Sequence, residues 1–426
     1  MKIRTKEKSY EEVMALPREK HENPMRQFKI IRELLKVISY FDLRAVQFSY
    51  EKTGMEKLGD KEPCLVLMNH SSFIDLKIAA TLLADREYHI VCTLDGFVGK
   101  KFLMRLLGCI PAKKFINDIT LIKDMRYAIQ KLHASILMYP EASYSFDGTQ
   151  TPLPHSLGKC IKLLKAPVIM IRTNGAFLRD PLYNGLQLRR TKVSAKMDYL
   201  LSPEEIAQKS VEEINEILRQ TFSFDYFKEQ QEQGIIVKEP FRADGLQRVL
   251  YRCPHCQTEG RMEGKGTKIV CLQCQNSYEL SETGELKAHR GENCLTHIPD
   301  WYRWERECVR KELEDGSYKL DIEVDIYMLV DTKCVYKVGE GRLLHTLDGF
   351  DLTGCDGKLH YKQPPQVSYS LYSDFYWYEI GDMISIGDAQ VQYYCFPKNG
   401  ENLVAKTRLA TEELYKIHDE KIRKYK

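Results

Sequence analysis

His70 and Asp75, in the run Asn69-His70-Ser71-Ser72-Phe73-Ile74-Asp75, are the pair best suited to chemistry. A neutral imidazole within reach of a hydroxyl takes its proton as that oxygen attacks an acyl group. A carboxylate on the other ring nitrogen fixes the tautomer and stabilises the imidazolium that forms. Two such residues suffice for acyl transfer when the nucleophile is the substrate's own hydroxyl. The spacing alone is weak, since eleven histidines give about 0.5 chance matches to it. Ser72-Phe73-Ile74-Asp75 also fits a capping-box-like helix start, which explains Asp75 without catalysis. Context favours the chemistry. No other histidine has an aspartate five positions on, and this one ends an apolar run.

The second constellation is Cys253-Pro254-His255-Cys256 and, after fourteen residues, Cys271-Leu272-Gln273-Cys274. Each pair supplies two thiolates from one tight turn, and two such knuckles close a tetrahedral site. The expected ion is a structural zinc, because four protein ligands leave no open position. A redox role for one pair is the minor alternative. Arg252, Arg261, Lys265 and Lys268 are offset by Glu259, Glu263, Glu279, Glu282 and Glu285. Nucleic acid is therefore not an expected partner, and docking against neighbouring domains is the more economical role.

The elements that must position these residues follow from hydrophobic pattern. The runs CLVLMNH, YHIVCTL, ASILMYP and APVIMIRT read as buried strands, and FIDLKIAATLLADR reads as a helix. Alternation of strand and helix predicts an α/β fold with a mainly parallel sheet flanked by helices. Ligands of such sheets lie beyond the carboxyl ends of the strands. Residues 25–50 carry Ile30, Ile31, Leu34, Leu35, Val37, Ile38 and Phe41 near helical spacing, interleaved with Arg26, Lys29, Arg32 and Lys36. They read as a helix packed on the core or as a basic amphipathic helix at a lipid interface. The expected domains are 1–237, the α/β domain with this helix; 238–298, the zinc ribbon; and 299–426, a β-rich domain with a C-terminal helix, pleckstrin-homology-like in pattern. Its aromatic clusters are Trp301, Tyr302 and Trp304, and Tyr372 with Phe375-Tyr376-Trp377-Tyr378.

Four blocks in order carry a resemblance. Asn-His-x4-Asp after an apolar strand resembles the first block of the glycerophospholipid acyltransferase family, which includes the 1-acylglycerol-3-phosphate acyltransferases. Gly108-Cys109-Ile110-Pro111-Ala112-Lys113-Lys114 resembles its phosphate-binding block. Tyr139-Pro140-Glu141-Ala142-Ser143-Tyr144-Ser145 is similar to its Phe-Pro-Glu-Gly-Thr-Arg-Ser block, and Ala166-Pro167-Val168-Ile169-Met170 to its fourth. The resemblance implies O-acyl transfer from an acyl thioester on coenzyme A or acyl carrier protein to a lipid or glycerol-phosphate-type acceptor. By it, His70 is the general base, Asp75 its orienter, and Asn69, Glu141 and Ser143 belong to the substrate site. Lys114, with Lys113 beside it, falls where the family has a phosphate-contacting arginine, and a lysine lacks the bidentate fork. The third block departs, with Ala142 for glycine and Tyr144 for arginine. The acceptor is then a less charged alcohol, or Arg105, Lys113 or Arg172 compensates. A catalytically silent lipid-binding or adaptor protein on the same scaffold is the alternative.

The net charge of +3 argues against a protein whose main task is neutralising nucleic acid. The first twenty residues carry charges throughout, unlike a secretory signal. The thirteen cysteines are therefore expected to be thiols or metal ligands in a reducing compartment. No apolar stretch is long enough to span a bilayer. The expected location is cytoplasmic, with peripheral contact at the inner face of a membrane.

Overall fold

The computed structural model describes residues 2–116, 118–291, 295–399 and 402–424, with side chains of the last helix to residue 420. The short apolar runs become the middle of a seven-stranded sheet. Its order is Ser49–Thr53, Ser194–Leu201, Val168–Asn174, Leu65–Met68, Ser135–Met138, Tyr88–Thr93, Cys109–Ala112. The last five are mutually parallel. Ser194–Leu201 opposes Val168–Asn174, and Ser49–Thr53 follows Ser194–Leu201 in parallel.

Leu65–Met68 is buried throughout because side chains of alternating parity feed two cores. Leu65 and Leu67 pack with Met125, Leu157 and Ile161 of the helices Ile119–Gln130 and Leu157–Leu164. Val66 and Met68 pack with Ile78, Ala79 and Leu82 of the helix Asp75–Leu82. Each such aliphatic side chain contributes about 1.5–3 kcal/mol on full burial. The strand therefore fixes where His70, two residues beyond its end, must sit.

The helix Lys29–Ala45 forms as its spacing predicts, but it buries only Ser39 and Leu43. Ile30, Leu34, Val37, Ile38 and Phe41 are each more than half exposed. Packing on the core is thus not what its apolar stripe does. The helix is held instead by contacts such as the Lys77–Asp42 ion pair to the helix Asp75–Leu82. Among the described residues no helix is long and apolar enough to cross a membrane.

The cysteine-rich segment is a four-stranded antiparallel sheet in the order Leu286–Arg290, Ser277–Leu280, Lys268–Cys271, Met262–Lys265. It shares one continuous core with its neighbours. Tyr278 meets Trp301 edge-on at 5.2 Å, and Trp301 Nε1 donates to the Arg252 carbonyl at 2.9 Å. Trp301 belongs to the helix Ile298–Glu314.

The C-terminal sheet runs Leu359–Gln363, Gly349–Gly354, Val335–Thr346, Leu320–Leu329, Gln392–Pro397, Gly381–Gly387, Tyr372–Trp377, with antiparallel neighbours. The helix Leu403–Lys424 follows. One feature departs from the expected division at residue 237. Thr5–Glu7, near the start of the chain, pairs in parallel with Val335–Thr346 of this sheet. Extreme N-terminal residues therefore complete the C-terminal domain. No disulfide joins the described cysteines, and Cys294 lies outside the described residues.

Candidate active site

Where Leu65–Met68 ends, the chain turns through Asn69–Ile74 into the helix Asp75–Leu82. Asp75 is fully buried, and its Oδ2 lies 3.1 Å from His70 Nδ1. The same oxygen accepts from the backbone N–H of Ser71 at 2.8 Å and of Ser72 at 3.0 Å. Asp75 thus holds the turn and the imidazole together, and of the capping-box-like start only the Ser72 N–H to Asp75 half forms. An ionised carboxylate only accepts, so the shared proton sits on Nδ1 and the lone pair on Nε2. The His70 side chain remains 24% exposed. The rings of Tyr139 and Tyr144 lie 4.2 Å from its centroid and restrict its tilt.

The third block supports this histidine from behind. Glu141 is fully buried. Its Oε2 accepts from the His70 backbone N–H at 3.0 Å, and its Oε1 from that of Thr151 at 2.9 Å. Burial nevertheless lifts the carboxyl to about 7. Ala142, where the resembling block has glycine, sits at φ 56°, in the region that favours glycine. Ser143 is buried, and its hydroxyl accepts from Arg408 Nη2 at 2.9 Å. Glu141 and Ser143 therefore brace the loop, and neither lines the cleft described below. Asn69, also fully buried, is used up on Thr173 and Tyr226: Oδ1 accepts from the Thr173 N–H at 2.9 Å, and Nδ2 donates to Thr173 Oγ1 at 3.0 Å and to the Tyr226 hydroxyl. Asparagine there joins two neighbouring strand ends and contacts no substrate space.

The basic residues expected to meet an acceptor divide in the same way. Arg105 pairs with Glu22 at 3.0 Å and donates to the Asn23 carbonyl at 3.2 Å, outside the cleft. Arg172 pairs with Glu229. Lys113 and Lys114 do reach the cleft. Lys113 donates to the Ala389 carbonyl, and the Lys114 ammonium lies 4.0 Å from the Tyr372 ring centroid. Desolvation lowers the pKa of both lysines.

These groups meet a cleft of roughly 1680 Å³ beyond the carboxyl ends of the parallel strands, lined in part by His70, Lys114, Tyr144, Tyr372, Asp374 and Trp377. That exceeds the roughly 300–1000 Å³ of most small-ligand pockets. Ile122, Met125, Met138, Leu157, Leu163 and Leu186 make much of its wall apolar. A hydroxyl brought to His70 can be deprotonated there while an aliphatic chain lies along these side chains. The C-terminal domain builds one wall. The sequence shows Phe375-Tyr376-Trp377-Tyr378 as an aromatic cluster, but nothing local tells that it faces His70.

Residues 49–173 match the family model Acyltransferase. They form an acyltransferase domain. The match takes in His70, Asp75 and the third block. Among solved structures, the 1-acyl-sn-glycerophosphate (LPA) acyltransferase PlsC from Thermotoga maritima is similar at 17% identity, over 46% of this chain and 78% of that one, with a TM-score of 0.36. No curated protein matches the chain.

Behind the acyltransferase domain, Cys253, Cys256, Cys271 and Cys274 bring four thiols within 4.8 Å of one another. Cys253 and Cys274 sulfurs are 3.7 Å apart, and those of Cys256 and Cys271 3.6 Å. A tetrahedron with metal–sulfur bonds of about 2.3 Å needs separations of about 3.8 Å. The four residues therefore fit a closed four-sulfur metal site.

Proposed function

We propose that the chain moves a fatty acyl group from an acyl thioester, on coenzyme A or acyl carrier protein, to a hydroxyl of a glycerol-phosphate-type or related lipid acceptor. The observation that carries this reading is His70 Nδ1 at 3.1 Å from a fully buried Asp75 oxygen, with the imidazole on the wall of a partly apolar cleft. His70 Nε2 takes the acceptor's hydroxyl proton as that oxygen forms a bond to the thioester carbonyl carbon. The tetrahedral intermediate collapses, the carbon–sulfur bond breaks, and the imidazolium returns the proton to the departing thiolate. Asp75 holds the ring and steadies its positive charge during the transfer.

Zinc is the ion we assign to the four thiols, in a purely structural role. The C-terminal strands and closing helix form a pleckstrin-homology-like unit that walls the cleft. The exposed apolar face of Lys29–Ala45, with Phe102 and Leu103 also exposed, rests on the lipid surface from which the acceptor comes. Together with the reducing compartment expected for its cysteines, this reading puts the protein in the cytoplasm, in contact with the inner face of a membrane.

The altered third block, Ala142 and Tyr144, favours a second reading: a lipid-binding or adaptor protein without turnover. Incubating the purified chain with acyl-coenzyme A or acylated carrier protein and a panel of lipid alcohols separates the two. New ester detected by mass spectrometry supports the transferase. Lipid binding without any ester supports the silent protein.

A further inference from the structure

The C-terminal domain does more than close the cleft; it changes what can sit beside the block that resembles a phosphate site. Lys114, one of the two lysines of that block that reach the cleft, lies over the Tyr372 ring and has Asp374 and Asp95 as its acidic neighbours. Asp95 is buried and accepts from the Tyr372 hydroxyl at 2.5 Å and from Trp377 Nε1 at 3.3 Å. Asp374 comes from the strand Tyr372–Trp377 and lines the cleft. Its Oδ1 is buried without a hydrogen-bond partner among the described residues.

The strand is irregular at this point. Its pairing with Gly381–Gly387 slips between Asp374 and Trp377. Tyr376, Tyr378 and Glu379 all have positive φ, at 55°, 47° and 67°. Such bulges re-aim side chains and gather near active sites, and the backbone strain persists only where its surroundings enforce it.

Apart from Lys159, which lines the cleft with its side chain exposed, the cations that could answer a phosphate are engaged. Arg105 is paired with Glu22, Arg172 with Glu229, and Lys113 with the Ala389 carbonyl. Arg248 donates to the Tyr183 carbonyl at 3.1 Å and lies over the Tyr376 ring at 5.0 Å. Arg408 is held by Ser143 and Glu412, and it lines a separate small cavity behind the third block. Tyr144 supplies a ring where the resembling block supplies a guanidinium.

Resting on the acyl-transfer reading above, we propose that the acceptor headgroup is an uncharged polyol, held between Lys114 and Asp374 and flanked by Tyr144, Tyr372 and Trp377. A phosphate monoester would place its charge against Asp374 and Asp95. A cationic headgroup would meet Lys114. Hydroxyls satisfy both groups, because each accepts from an ammonium and donates to a carboxylate. The aromatic rings offer flat apolar faces to the C–H edges of a sugar or glycerol unit. Burial lifts the Asp374 carboxyl to about 7, so near neutrality it exchanges donor and acceptor roles with hydroxyl partners.

The test is a ranking of acceptors by the full chain, with acyl-coenzyme A and acylated carrier protein each supplied as donor. The acceptors share one acyl chain and carry a phosphate monoester, a phosphocholine, a free glycerol or a glycerol bearing a hexose. Uncharged polyol acceptors are expected to exceed the phosphate monoester at least tenfold in kcat/KM. Asp374→Asn should raise KM for the polyol acceptors and narrow that ratio, and Tyr144→Arg should narrow it further. A phosphate monoester ranked first in the wild type overturns the headgroup assignment while leaving acyl transfer standing. Absence of ester with every acceptor overturns both. The ranking needs no variant to fold, and a ratio unmoved in a folded Asp374→Asn protein also counts against the assignment.

Discussion

Arg408, on the closing helix, donates from Nη2 to the Ser143 hydroxyl at 2.9 Å and joins positions 265 residues apart. The guanidinium is 3% exposed, its Nε pairs with Glu412 at 3.2 Å, and it lies 4.3 Å from the Phe146 ring. The third block of the acyltransferase domain is thus braced by the C-terminal domain. Arg408→Ala leaves a buried carboxylate and a buried hydroxyl short of a donor. Removing one partner of a buried pair costs about 3–5 kcal/mol. We expect a loss of that order in urea-unfolding free energy and reduced turnover, with Arg408→Lys intermediate because it keeps the charge and loses the fork.

The four-sulfur site gives a separate expectation. Elemental analysis should find one zinc per chain, and Cys271→Ser should lower it severalfold. The cysteines anchor strands whose core residues Ile269, Tyr278 and Leu286 are fully buried. Metal binding in such units is largely folding free energy. Chelation should therefore lower the unfolding midpoint, and an unchanged midpoint with no bound metal would refute the assignment.

Acid should loosen the ion-pair cluster of the closing helix that holds Arg408. Burial pushes the Glu412 carboxyl up, but Arg306 and Arg408 outweigh it and hold the group at about 2 against an ordinary 4.5. A carboxyl depressed by folding stabilises above its unfolded value and loses that contribution as pH falls through the folded one. Thermal unfolding followed by circular dichroism should show Glu412→Gln less stable near neutrality and less sensitive to acid between about pH 4.5 and 2. Glu141 acts in the opposite sense. Its carboxyl is lifted to about 7, so its contribution is complete below 4.5 and fades as pH rises through 7.

The apolar face of Lys29–Ala45 offers a test in lipid. Ile30 is 82% exposed and Phe41 69%. Ile30→Asp combined with Phe41→Asp should leave folding within about 0.5 kcal/mol per site. Co-sedimentation with anionic vesicles should fall at least tenfold. Unchanged sedimentation would detach this helix from membrane contact.

The runs CLVLMNH and APVIMIRT could be read as strands because their residues are apolar on both faces, and they became Leu65–Met68 and Val168–Asn174. His70 and Asp75 were legible because strand end and helix start lie five residues apart. The partners of Glu141 and Ser143 were not. Residue type suggested substrate contact, and only the docking of Thr151 and Arg408 shows that both side chains are consumed in holding the loop. The same holds for Asp374, an ordinary strand aspartate in sequence that becomes part of the cleft through long-range packing. Thr5–Glu7 pairs with a strand more than 300 positions away, and no local pattern announces that.

The most direct measurement is steady-state acyl transfer by His70→Ala, with circular dichroism and unfolding midpoint recorded on the same preparation. Proton transfer by a positioned base is worth about 10²–10⁴-fold in rate. The account predicts a loss of that size with the fold retained. Near-normal turnover in a folded His70→Ala protein would contradict it.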